Sequence, residues 1–164
     1  MIFTPNPALD LVLERDVDVP VAFVWKAWTT PALLKRWFTP PPWVTTDCEI
    51  DLRAGGRFRT VMQGPDGPAM DNTGCFLEVV EGRRLVWTNA LGPDFRPAPR
   101  PPLDQEFGFA FTAIVEMRAN GSGTRYTATV LHADDKSRET HASMGFEQGW
   151  GTGLDQNVAL SKQV

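Results

Sequence analysis

The chain has 164 residues, the length of one ordinary domain, and a chain of that size can bury roughly 70% of its unfolded surface in a single core. Sixteen Lys and Arg stand against 20 Asp and Glu, a net charge of −4, so there is no electrostatic footprint for a polyanion and no nucleic-acid partner is expected. Hydrophobic residues at 42% and charged residues at 22% exclude wholesale disorder and a coiled coil.

The aromatic count is lopsided, with ten Phe and six Trp against one Tyr, so most of the aromatic surface carries no hydroxyl. No run of apolar residues is long enough to span a membrane, and the first residues, MIFTPNPALD, lack the basic and apolar regions of a secretion signal. A cytoplasmic protein is expected. Cys48 and Cys75 have no CxxC spacing and no accompanying histidine cluster, which predicts two reduced core thiols and no metal site.

In chain order, the first predicted element is 9–19, where Leu9, Leu11, Leu13, Val17 and Val19 alternate with polar neighbours as in a half-buried strand. Residues 1–8 precede it as an N-terminal arm. Pro20 opens a short helix in which Phe23, Val24, Ala27 and Trp28 keep helical spacing, and Thr30-Pro31 is a cap and first-turn pair for a second, ALLKRWF. The prolines at 40–42 end it.

From 43 to 130, short alternating runs between turn residues predict an antiparallel meander. Val44, Thr46, Cys48, Ile50 and Leu52 fall on one face of its first strand, and Ala54-Gly55-Gly56 turns the chain into 57–63. Further strands are predicted over 70–80, 84–90, 106–118 and 124–132. The proline-rich run 92–102, GPDFRPAPRPP, is expected to be a stiff exposed loop that can serve as a lid. Phe146, Trp150, Leu154 and Val158 recur at i, i+4 and predict one long amphipathic helix over 134–162. Gly145, Gly149, Gly151 and Gly153 weaken that helix, and would permit a bend or the close approach of a sheet or ligand. Strand, two short helices, about six strands and a long helix make an α+β arrangement.

The stretches WTTPALLKRWF, EIDLRAGGRFRTVM, PDG, GCFLEVVEGRRLVWT, GTRYTATVLHAD, MGFEQGW and LDQN follow one another in this chain. In that order they resemble the activator-of-heat-shock-protein-90-ATPase-like branch of the SRPBCC (START and birch-pollen-allergen-like) superfamily. The resemblance runs over 9–160 and implies a helix-grip fold as a single domain over 1–164. In that fold a seven-stranded antiparallel sheet wraps a long C-terminal helix, with two short helices after strand one and an apolar cavity inside. Members of the superfamily include lipid and polyketide carriers, aromatases and cyclases, and domains that touch the chaperone, so the fold does not choose a function.

Placed in such a fold, Trp28, Trp37, Phe38, Trp43, Met62, Trp87, Phe107, Phe109, Phe111, Met144, Phe146 and Trp150 converge as candidate cavity walls. Walls with few polar handles favour an apolar, lipid-like or polyketide-like ligand. His132, closing the strand of Tyr126, Ala128 and Val130, is the candidate to orient a ligand or act as a general base, whereas His141, beside Glu139 and Thr140, is expected to be solvated. Arg57 and Arg59 share one strand face and are candidate anchors for a ligand carboxylate; pairing with Asp47, Glu49 or Asp51 is the competing expectation. Glu78 and Glu106 are candidate acids if they point inward. The leading expectation is an apolar small-molecule-binding domain, monomer or homodimer, with no cofactor. The alternatives are a chaperone ATPase co-regulator and a cyclase- or dehydratase-type enzyme using His132.

Overall fold

The computed structural model describes residues 3–99 and 109–163. Seven strands form one antiparallel sheet: β1 (Asp10–Val17), β2 (Val44–Ile50), β3 (Arg57–Gln63), β4 (Met70–Val80), β5 (Arg84–Thr88), β8 (Phe111–Asn120) and β9 (Gly123–His132). Two-residue strands β6 (Leu91–Gly92) and β7 (Arg96–Pro97) make a separate ribbon. The sheet order is β1-β9-β8-β5-β4-β3-β2. The two edge strands are therefore joined in sequence by the helical pair α1 (Val21–Thr29) and α2 (Pro31–Leu34). The chain ends in α3 (Asp135–Ser143) and α4 (Phe146–Ser161). The architecture is the expected α+β helix-grip arrangement.

Alternation places the core. Leu11 and Leu13 of β1, Ala113, Val115 and Met117 of β8, and Tyr126, Ala128 and Val130 of β9 are all buried. They lie every second residue on their strands, as a one-sided sheet requires. In α1, Val24, Ala27 and Trp28 face this core while Phe23 is exposed, so the apolar stripe is one residue narrower than its spacing suggested. The Trp37 indole N–H donates to the Ala27 carbonyl at 3.0 Å, and the Gln156 amide donates to the carbonyls of Trp37 and Thr39 at 2.9 and 3.0 Å. These bonds fasten the segment after α2 to both α1 and α4, satisfying a carbonyl in the last turn of α1 and two in the segment itself.

Strand β2 departs from simple alternation. A bulge shifts its register against β3 between Thr45 and Asp47, so Thr45 and Cys48 are buried while Val44 and Thr46 are exposed. An extra residue in one strand inverts the facing of everything on one side of it. Both thiols are in the core. Burial pushes the Cys48 thiol up to about 11, and Cys75 is fully buried. Since the thiolate is the reactive form, neither cysteine is expected to react with a disulfide reagent at pH 8 in the folded protein, whereas both titrate in denaturant. Reaction of either without denaturant would contradict this packing.

The predicted single C-terminal helix is two. Gly145 has φ 85° and ψ 44°, a left-handed conformation that costs little only for glycine. It ends α3 and redirects the chain into α4. The start of α3 is capped by Asp134, whose carboxylate accepts from the Ser137 N–H at 2.7 Å. That bond is the main reason its carboxyl sits below the usual range. The described part of the proline-rich loop forms the β6–β7 ribbon around a turn at Pro93–Phe95 and packs on the Gly55 turn, where the Asp94 N–H donates to the Gly55 carbonyl at 2.7 Å.

Candidate functional site

Between the inner face of the sheet and α4 lies a pocket of about 350 Å³. Trp28 of α1 and Trp37 and Phe38 from the segment after α2 close one end, with Phe58 and Met62 of β3 and Trp87 of β5 along the sheet. Phe109 and Phe111, Met144, and Phe146 and Trp150 of α4 form the opposite wall. The rings lock one another in place. Trp28 meets Trp37 edge-on at 4.7 Å between centroids, Phe58 meets Trp87 at 5.3 Å, and Trp87 stacks on Trp150 at 6.2 Å and 13°. Edge-to-face and offset geometries of this kind stabilise beyond simple area burial.

The helix side of the pocket is kept open by its sequence. A Cβ placed on Gly149 would meet no atom within 4 Å, and Gly145, Gly149 and Gly153 all lie on the pocket wall. Four-residue spacing puts these three on one face of the helical segment. The i, i+4 aromatic stripe thus borders a strip without side chains. A side chain at Gly149 would have open space around its Cβ at the pocket wall.

Uncharged polar side chains interrupt the apolar wall, and several are engaged by the protein itself. The Thr88 hydroxyl donates to the Phe111 carbonyl at 2.8 Å, and the Asn89 side chain bonds the backbone of Phe109 and Phe111 at both its ends. Tyr126 is buried at the helical-pair end, and burial raises its phenol above the ordinary range. The nearby Trp28 indole N–H eases that rise slightly but makes no hydrogen bond of acceptable geometry. Among the described residues no charged side chain lines the pocket.

His141 is the polar group of the other end. It is only 8% exposed, its ring packs against Phe109, Phe111 and Phe146 at 5.1 to 5.7 Å, and it lies on the pocket wall. Its Nδ1 is 2.9 Å from Nε2 of His132, whose own Nδ1 is 2.8 Å from the Leu9 carbonyl. Burial, and secondarily the neighbouring His132, lower its pKa to about 4. At neutral pH it is an uncharged ring.

Ten of the residues expected to line a cavity do so: Trp28, Trp37, Phe38, Met62, Trp87, Phe109, Phe111, Met144, Phe146 and Trp150. Phe107 and Glu106 lie outside the described residues. Trp43 is not part of the wall; its ring covers Gly64, where a Cβ would come within 2.8 Å of it. His132 also stands back, behind His141. The expected solvation of His141 is corrected, because α3 stops at Gly145 and its one buried residue is turned onto the end of β9. Arg57 and Arg59 cannot reach the pocket: Phe58 between them points inward, so period-2 alternation sends both guanidinium groups outward. There Arg59 pairs with Asp47 at 2.8 Å and Asp71 at 2.9 Å, and Arg57 lies 3.8 Å from Glu49. Glu78 is likewise on the outer face, paired with Arg84 at 3.2 Å. None of the described residues of the proline-rich loop lines the pocket.

The family described as "Activator of Hsp90 ATPase homolog 1-like protein" matches residues 18–160. The chain belongs to this family. Among solved structures, protein NE0264 from Nitrosomonas europaea is 46% identical, with 97% of each chain covered and a TM-score of 0.90. Protein Ms6760 from Mycobacterium smegmatis is 25% identical over 93% of this chain and 90% of that one, with a TM-score of 0.74. The AHSA1-like protein from Aeromonas hydrophila shares the fold at 24% identity, with a TM-score of 0.67 over 94% of this chain and 93% of that one. No match was found among curated proteins. Among the described residues no helix is long and apolar enough to cross a membrane, and no group of three potential metal ligands occurs.

Proposed function

We propose that this protein is a small-molecule-binding domain that takes an apolar, ring-bearing ligand between its sheet and α4. The observation that carries the reading is the wall itself. A pocket of about 350 Å³ faced by Trp28, Phe58, Trp87, Phe111 and Trp150, with no charged lining side chain among the described residues, suits a ligand that gains by leaving water.

The test uses the tryptophans already in the wall. Titration with a panel of lipids, flavonoids and polyketides is expected to give saturable quenching of intrinsic fluorescence by at least one member. Gly149→Leu is expected to abolish that response, because Gly149 lies on the pocket wall and the open space around its Cβ leaves the new side chain room to occupy the ligand's place. Its melting temperature should be unchanged or raised, since replacing a helical glycine contributes about 1 kcal/mol. No quenching across the panel, or full binding by Gly149→Leu, overturns the reading.

The description of the family supports a second reading, an effect on a chaperone ATPase. Titration into a purified chaperone decides it: an unchanged rate of ATP hydrolysis removes that reading without touching the first.

A further inference from the structure

The histidine pair bears on which ligands the pocket accepts. The Leu9 carbonyl can only accept, so the His132 Nδ1 that lies 2.8 Å from it carries the proton. In a neutral His132 the other nitrogen, Nε2, then holds a lone pair and must accept from whatever lies 2.9 Å away. What lies there is His141 Nδ1, which is therefore the protonated nitrogen of its own ring. The proton on His141 is thus spent away from the pocket. Nε2 is left as a bare acceptor, with no hydrogen bond among the described residues, on a ring that lies on the pocket wall.

Other polar groups of the wall are placed differently. The hydroxyls of Tyr126 and Thr60 both donate and accept, so they adapt to either kind of ligand. Asn89 is used at both ends by backbone groups. The Thr88 hydroxyl gives its proton to the Phe111 carbonyl and already accepts from the Ala90 N–H, whereas His141 Nε2 offers acceptance without donation and has no hydrogen bond among the described residues. The His141 ring does so inside a nest of three phenylalanines, where an unmatched polar atom is costly and a matched one counts for more than in water.

Resting on the binding function proposed above, we infer that the pocket selects a neutral ring compound bearing a hydroxyl group, whose O–H donates to Nε2 of His141. Ionised carboxylates are disfavoured, because the described wall offers them no cation and a bare acceptor repels them. The ring of His141 remains uncharged at neutral pH, since its pKa is lowered to about 4 by burial and by His132, so it does not turn into a donor there.

The experiment is a calorimetric titration at pH 7.5 with three matched probes: 2-naphthol, 2-methoxynaphthalene and 2-naphthoate. Wild-type protein is expected to bind the naphthol about fivefold more tightly than the ether, the usual worth of one neutral hydrogen bond, and the naphthoate most weakly. In His141→Phe, which keeps the ring volume, the naphthol and the ether should bind alike. A second readout needs no substitution: a long-range proton–nitrogen spectrum should show Nε2 of His141 unprotonated in the free protein and shifted by naphthol but not by the ether. Equal binding of naphthol and ether by wild type, an advantage that survives in His141→Phe, or a protonated Nε2 overturns the inference and leaves the binding function standing. Absence of binding by all three probes, together with silence across the wider panel, overturns both.

Discussion

Trp87→Ala is expected to cost about 3–5 kcal/mol, the range for deleting a large buried aromatic side chain. Trp87 is 5% exposed and joins three walls: Trp28 at 5.3 Å, Phe58 at 5.3 Å and Trp150 at 6.2 Å. It is also pinned from the sheet side, since β5 lies between β4 and β8 with Trp87 opposite Phe76 and Ala113. The neighbours cannot collapse into the gap without breaking that register. The lost side chain would extend a space that already exists. Equilibrium urea unfolding measures the cost, and at roughly 2–4 °C per kcal/mol for a domain of this size the melting temperature should fall by about 6–20 °C. A loss below about 1 kcal/mol would show that the rings do not support one another.

The second large effect is on acid stability and comes through His141. Its pKa is lowered from the ordinary 6.5 to about 4 in the folded protein. The unfolded chain therefore takes up a proton at a higher pH than the folded one. Stability is full above pH 6.5, declines as the pH falls from 6.5 towards 4, and loses no more through this residue below that. The integrated loss is on the order of 3 kcal/mol. Among the described residues, the rings packed on it are those of Phe109, Phe111, Phe146 and His132, of which only His132 can add a charge of its own. In His141→Phe this share of the slope should vanish, so unfolding curves of the two proteins at pH 7, 6, 5 and 4.5 should converge in steepness of pH dependence only if His141 is not responsible. Carboxylate titration is common to both and cancels in the comparison.

Alternation and turn chemistry made most of the architecture legible. The Phe111, Ala113, Val115, Met117 series and its partner Tyr126, Ala128, Val130 read directly as two strands with one buried side. The aromatic wall could be assembled because strand phase and helix phase each point their rings inward. What escaped was set by single residues whose effect is not periodic. Gly145 turns left-handed and makes two helices from one, which carries His141 from an expected wet face to a buried one; sequence spacing holds no sign of that beyond Ala142 beside it. The bulge between Thr45 and Asp47 flips one end of β2, and no residue there announces it. Arg57 and Arg59 were readable both ways, and the deciding fact, that Phe58 is the inward member of the triplet, follows from packing. The pairing of His132 with His141 depends on the end of β9 meeting α3 and has no local signature.

The pairing of β1 with β9 has a consequence for how the chain assembles. The other neighbours in the sheet are consecutive in the seven-stranded order and far closer in sequence, the widest gap being that between Thr88 of β5 and Phe111 of β8, but β1 aligns Asp10 with Leu131 and Val17 with Thr124, across more than a hundred residues. Closing so long a segment is entropically expensive and is repaid only by the contacts made at its end, so such pairings tend to be slow steps. Leu9, at the mouth of that strand, gives its carbonyl to both the backbone N–H and the ring Nδ1 of His132. The proton arrangement of the two imidazoles is therefore completed when the N-terminal strand docks. A chain whose hairpins have formed but whose first strand is still loose has the aromatic walls without the acceptor that discriminates between ligands.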